Sequence, residues 1–308
     1  MESIDRREFL KKTAVLGIGA GLLFLPRGLR FALPGAEALD YPDLVAVKGG
    51  KPEVMFDRAI KSVGGIGRFV KKDQSVLIKP NMSWDTAPEN ASNTSPALVA
   101  NITKHCLDAG AKRVVVMDHS IEYWENSRKS SGVYAAASSA GAVYAPAEKE
   151  GYYETVQVNG ERLKETLIHE SLLECEVLIS VPVLKHHGGA GVSIAAKNLM
   201  GCVWNRMEYH SKGLQRCIAD FLGVRKPDLN VVDAYRVITR NGPRGGSPAD
   251  VADIGSLILS PDIVAADTAA SMLLGRKQGE VEHIRLASEA GFGQMDLSKL
   301  RIERLTLS

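Results

Sequence analysis

Apolar residues along the chain gather in short, predominantly apolar runs: Val76 to Ile78, Arg113 to Met117, Val177 to Val183, Asn230 to Val232 and Ile254 to Leu259. Runs of this length predict buried β-strands, because a strand covered on both faces has no polar side to alternate with. Between the first two, Pro96 suits the first turn of a helix that runs to Ala109 and stops at Gly110. Strand, helix, strand in that order predicts a parallel pair with a right-handed crossover. Tyr153 to Val158 and Arg162 to Ile168 flank Asn159-Gly160, a two-residue hairpin signal. A helix is expected from Val192 to Val203, and another from Ile263 to Leu274 with Asp262 as its N-cap. Leu300 to Leu307 alternates as an exposed edge strand does. The predicted class is α/β: a mainly parallel open sheet flanked by helices, with an antiparallel hairpin added.

Composition agrees with a globular protein, 45% hydrophobic and 24% charged over 308 residues. The formal charge of +2 arises within residues 1–38, so the remainder offers no global field to a polyanion, and nucleic acid is not an expected partner. That first segment has a different character. Asp5-Arg6-Arg7-Glu8-Phe9-Leu10-Lys11 resembles the twin-arginine export signature, with Asp5 replacing its Ser or Thr. Behind it Thr13 to Pro26 is uncharged and about 14 residues long, short of the ~20 that span a bilayer. Ala36-Glu37-Ala38 then suits a signal peptidase. The expectation is a signal peptide over 1–38 and one exported domain over 39–308, with the twin-arginine translocase as a transient partner; left uncleaved, the signal tethers the protein to a membrane. Cys106, Cys175, Cys202 and Cys217 contain no Cys-x-x-Cys pair, so no ferredoxin-type cluster is expected. Free buried thiols are expected ahead of a Cys202–Cys217 disulfide.

Four predicted strands end in polar clusters: Lys79 and Asn81; Asp118, His119 and Ser120; Lys185, His186 and His187; and Asp233. In open parallel sheets the ligand crevice lies beyond the carboxyl ends of the strands, which brings such clusters face to face. Gly188, Gly189 and Gly191, leading into the expected helix, offer backbone N–H groups to an anion, with Ser193 and Lys197 on one helical face. The expected site therefore binds a small anionic or polar molecule through Lys79, Asn81, Lys185, the glycine loop, Ser193, Lys197 and Asn198. His186 or His119 would transfer protons, and a lysine buried like Lys185 becomes a candidate base or Schiff-base amine. Asp118 and Asp233 are the candidate ligands of a divalent metal. A non-catalytic protein that handles a ligand, metal or cofactor is the alternative.

The same segments carry a family resemblance. Val76-Leu77-Ile78-Lys79-Pro80-Asn81, Val181-Pro182-Val183-Leu184-Lys185-His186, Lys197-Asn198-Leu199-Met200-Gly201, Asn230-Val231-Val232-Asp233 with Asn241-Gly242-Pro243, and Ser260-Pro261-Asp262 with Asp267 resemble the motif series catalogued as domain of unknown function 362. The resemblance runs from about residue 45 to 275. It implies a shared polar surface and, since relatives are sometimes joined to iron–sulfur modules, a redox partner; this chain lacks the ferredoxin cysteines.

Overall fold

A computed structural model describes residues 41–245 and 247–308. The expected export signal and its cleavage site lie outside the described residues. Strands β1 (Leu44–Lys48), β2 (Ser75–Pro80), β3 (Arg113–Val116), β4 (Val143–Tyr144), β5 (Tyr153–Gln157) and β6 (Glu165–His169) come first along the chain. They are followed by β7 (Val177–Val181), β8 (Val183–His187), β9 (Gly191–Ser193), β10 (Leu229–Ile238), β11 (Val251–Ser260) and β12 (Ile302–Thr306).

The main sheet runs β12-β1-β11-β10-β7-β2-β3-β4. From β10 to β4 every neighbouring pair is parallel, whereas β11 is antiparallel to both β1 and β10. The apolar runs are explained by cover on both faces. Val76 and Ile78 join one hydrophobic cluster and Leu77 the other; Val114 and Val116 are likewise separated from Val115. Val76 to Ile78 and Val114 to Val116 are thus buried on whichever side the pleat points, and helix Pro96–Asp108 packs on the side of Val76 and Ile78. That helix begins with Pro96 and ends before Gly110, whose φ of +88° is the left-handed turn that favours glycine.

Three expected elements differ. The hairpin pairs β5 with β6, but the connection spans residues 158–164 and the pair forms its own small sheet. Asp220 is the reason: its Oδ2 accepts from the N–H groups of Arg162 (2.7 Å) and Leu163 (3.0 Å), and it presses so close to Gly160 that a Cβ there would lie 2.6 Å away. A tertiary contact has overridden the tight turn. The single helix expected over 192–203 is instead strand β9, a short helix Ala195–Asn198 and a 3-10 turn Leu199–Cys202. β9 pairs antiparallel with β8, Lys185 opposite Ser193, so the glycines are the tip of a hairpin. β10 also runs past Asp233 to Ile238, with an irregularity after Ala234.

All four cysteines are free thiols. Among the described residues no helix is long and apolar enough to cross a membrane.

Asp262 caps helix Ile263–Leu273, its Oδ1 accepting from Val264 N (2.8 Å) and Ala265 N (3.0 Å), while Oδ2 accepts from Gln294 N (2.7 Å). Asp262→Ala should lower stability by about 1–2 kcal/mol in urea unfolding. An unchanged midpoint would show that the cap contributes nothing.

Candidate functional site

The parallel strands deliver their polar ends to one place. Lys79, at the end of β2, is completely buried, and its Nζ lies 2.9 Å from Asp118 Oδ1, just past the neighbouring β3. The same amine donates to Pro80 O (2.8 Å) and Asn198 Oδ1 (3.1 Å). Asp118 Oδ2 accepts from Met82 N (2.6 Å) and Ser83 Oγ (2.9 Å). Burying two charges is tolerable only when both are paired and hydrogen-bonded, and this pair meets that condition. Asn198 extends the network: its Oδ1 also accepts from Asn81 Nδ2 (3.2 Å), and its Nδ2 donates to Lys79 O (3.1 Å). Asn81 Oδ1 in turn accepts from Lys185 Nζ at 3.1 Å. Lys185, Asn81, Asn198, Lys79 and Asp118 therefore form one connected chain of polar contacts.

Beside that chain lies a cavity of about 390 Å³, lined among others by Asn81, Trp84, Asp118, Lys185, His187, Ser193, Lys197, Trp204 and Arg206. The charged groups of its lining are mostly cations: Lys185, Lys197 and Arg206 against Asp118. Lys185 is buried; it donates to Ser92 O as well as Asn81 Oδ1 and lies 5.7 Å from the Trp84 ring centroid. Loss of water lowers its pKa to about 7, with further lowering from the nearby charges of Lys197 and Lys79. Lys197 is lowered to about 8, first by burial and then by Arg206. Its one hydrogen-bond partner among the described residues is Met200 Sδ, a weak acceptor at 3.7 Å. Arg206 is held by His119 O (2.5 Å) and Ser120 O (2.7 Å). Among the described residues Asp118 is the one carboxylate in the lining, and Lys79 already pairs with it.

Asn81, Asp118, Lys185, Ser193, Lys197 and Asn198 all line the cavity, and Lys79 sits directly behind it. Other expected residues do not. His186 points away, as its neighbours at even spacing require: Lys185 and His187 share a face of β8, and His186 Nδ1 accepts from Gly242 N (3.2 Å) on the other. His119 is outside the lining. Its ring stacks on Trp204 at 5.1 Å and its Nδ1 is bound to Val203 O (2.9 Å), while burial lowers its pKa. Gly188, Gly189 and Gly191 turn the β8–β9 hairpin, outside the lining. The backbone N–H groups at the helix start that was expected to bind an anion are already taken, since Asp267 Oδ1 and Oδ2 accept from Ala195 N (2.7 Å) and Ala196 N (2.9 Å). Asp233 lines a different cavity with Ser95 and Tyr235, whose N–H groups it accepts. Asp118 and Asp233 thus do not converge, and among the described residues no three His, Cys, Asp or Glu side chains are grouped to hold a metal.

Sequence reasoning missed several lining residues. His187 follows from the period of two that places it with Lys185, and it is held neutral: burial lowers its pKa to about 3, and Nδ1 accepts from Gly189 N and Ala190 N, both 3.1 Å. Trp84 and Arg206 carry no local signal because they sit in irregular segments, and His210 carries none because it lies on a short helix, Met207–Lys212, away from the strand ends. Gly201 is placed by contact. A Cβ there would stand 2.0 Å from Asp118 Oδ1 and 2.7 Å from Lys79 Nζ, so only glycine lets the backbone close over the ion pair.

A mostly parallel sheet with a polar cavity beyond its strand ends defines an α/β protein with a built pocket. The chain belongs to the family described as Domain of unknown function (DUF362), which matches residues 76–272. It is 26% identical over 216 residues to the thylakoid-associated protein sll1697 of Synechocystis sp. (strain ATCC 27184 / PCC 6803 / Kazusa). That match takes in 68% of this chain and 65% of the relative, so the chain spans a little under two thirds of the relative's length. Among solved structures it is similar to the lactate racemase apoprotein from Thermoanaerobacterium thermosaccharolyticum, with a TM-score of 0.47 and 13% identity over 77% of this chain and 57% of that one. A structural-genomics protein from Thermotoga maritima gives a TM-score of 0.43 and 12% identity over 79% of this chain and 60% of the other.

Two outcomes follow from the geometry. Gly201→Ala should force Asp118 from Lys79 and destabilise by about 3–5 kcal/mol, the cost of breaking a buried pair; unfolding within ~1 kcal/mol of wild type would contradict the close packing. The second concerns pH. Lys185 titrates at about 7 when folded and near ~10.4 when unfolded. Between those values the unfolded chain holds a proton that the folded chain has released, so this residue's contribution to stability rises with pH. Below about 7 its burial penalty is present in full. Wild type minus Lys185→Met, measured by urea unfolding, should therefore rise from neutral to alkaline pH, and parallel profiles would refute the shift.

Proposed function

We propose that the cavity is the substrate site of an exported enzyme acting on a small anionic compound. Lys197 carries the proposal: it is a largely desolvated ammonium facing a cavity with, among the described residues, a thioether as its one partner, beside Arg206 and Lys185. An unpaired cation in such surroundings is costly, and a ligand carboxylate or phosphate supplies the missing charge-assisted hydrogen bonds. Lys197 and Arg206 hold the anion. Lys185, titrating at about 7, exchanges a proton with the bound molecule near neutral pH, the role first expected of His186 or His119. Trp84 and Trp204 form apolar walls that strengthen these interactions by excluding water.

Inorganic phosphate and a series of small mono- and dicarboxylates should each be tested for thermal stabilisation. At a concentration of about 100 Kd, a true ligand adds about 2.7 kcal/mol. Lys197→Met should abolish this gain while keeping the fold; equal stabilisation of wild type and variant would sink the proposal.

Export rests on the Arg6-Arg7 segment and the apolar stretch behind it, and the thylakoid association of the relative fits a protein that works at or across a membrane. Residues 1–38 fused to a folded reporter should direct export, and Arg6→Lys with Arg7→Lys should retain the reporter in the cytoplasm. Export undiminished in the double variant would contradict the twin-arginine route.

A further inference from the structure

We infer that the cavity takes a carbonyl-bearing carboxylate, a short 2-oxo acid in class, and that Lys185 joins it covalently as an imine. The inference rests on the anion-binding proposal above and adds to it the chemistry of the bound molecule.

The geometry at Lys185 singles it out among the three lysines. A neutral primary amine has two N–H groups and one electron pair. Asn81 Oδ1 and Ser92 O, the two acceptors on Lys185, take the two hydrogens. Since both acceptors belong to the protein wall, the electron pair is the part of the amine left for a molecule in the cavity. Lys79 differs, because Asp118, Pro80 O and Asn198 Oδ1 engage all three of its hydrogens and it lies outside the lining. Lys197 differs again, for among the described residues only the weak acceptor Met200 Sδ meets it. The lowered pKa of Lys185 adds that the amine is available as a base and nucleophile near neutrality.

The cavity supplies the rest of the recognition. Lys197 and Arg206 are placed for a carboxylate, and Ser193 and His187 offer hydrogen bonds to a carbonyl oxygen. With Nδ1 of His187 accepting from two backbone N–H groups, its remaining proton resides on Nε2. About 390 Å³ is ample for a short-chain acid.

The step balances without an oxidant or reductant. Lys185 Nζ donates its electron pair to the carbonyl carbon, the π pair moves to oxygen, and one amine proton follows to give a carbinolamine. The C–O bond then breaks, and water departs with the second amine proton as C=N forms. Asn81 Oδ1 and Ser92 O lose their hydrogen bonds from Nζ in that step, so the network that oriented the amine is released as it reacts.

Borohydride trapping tests this. The purified full-length protein is incubated with pyruvate near neutral pH, reduced, digested and mapped by mass spectrometry, with acetate stabilisation measured in parallel. The expected result is a carboxyethyl adduct concentrated on Lys185, absent from Lys185→Arg. In Lys197→Met it should fall roughly tenfold or more, the loss expected for one charge-assisted hydrogen bond. Because wild type alone gives the decisive map, a poorly folded variant does not blunt the test. An adduct spread over surface lysines, or none at Lys185, overturns the inference. If acetate still stabilises in a Lys197-dependent way, only the imine falls; if it does not, the anion site falls with it.

Discussion

The ion pair between Lys79 and Asp118 is the constraint on which the site depends. Two opposite charges lie 2.9 Å apart with neither side chain exposed, one at the end of β2 and the other just beyond β3. Removing either would leave a bare charge in a nearly dry interior. The surrounding choices follow from keeping both satisfied. Met82 N and Ser83 Oγ turn toward Asp118, Asn198 bridges Lys79 to Asn81, and Gly201 has no side chain so that the backbone can close above them. By consuming the one carboxylate that the described residues give the cavity lining, the pair also leaves Lys185, Lys197 and Arg206 without a counter-ion among those residues.

The fold makes this arrangement available by placing the strand ends side by side. Adjacent parallel strands β7, β2 and β3 end side by side, and β8 continues directly beyond Pro182 to carry Lys185 over the end of the sheet. The β8–β9 hairpin then brings Ser193 opposite Lys185. The N–H groups of the helix start that follows are occupied by the carboxyl of Asp267, whose pKa burial raises to about 7. Positive charge in the cavity thus comes from the side chains of Lys185, Lys197 and Arg206 rather than from fixed backbone dipoles.

Much of this was legible in the sequence because parallel strands buried on both faces write themselves as predominantly apolar runs, and their polar ends mark one edge of the sheet. Lys79, Asn81, Asp118 and Lys185 were found in that way. The choice of histidine was set by a finer rule: on a strand, His187 shares the face of Lys185 and His186 does not, although the residues are adjacent. Asp233 misled because its strand does not end there; β10 continues to Ile238 and turns the carboxylate toward Ser95. The glycine run misled because hairpin tips and helix-capping loops use the same residues. Trp84, Arg206 and His210 approach from segments whose course is fixed by tertiary packing, and no local pattern announces them.

The most direct measurement is a crystal structure of the protein grown with a small carboxylate. The account expects its carboxyl oxygens within hydrogen-bonding distance of Lys197 Nζ and the Arg206 guanidinium, with Lys79 and Asp118 still paired beneath. A cavity that stays empty of the anion at saturating concentration, or a Lys79 turned away from Asp118 toward solvent, would contradict it.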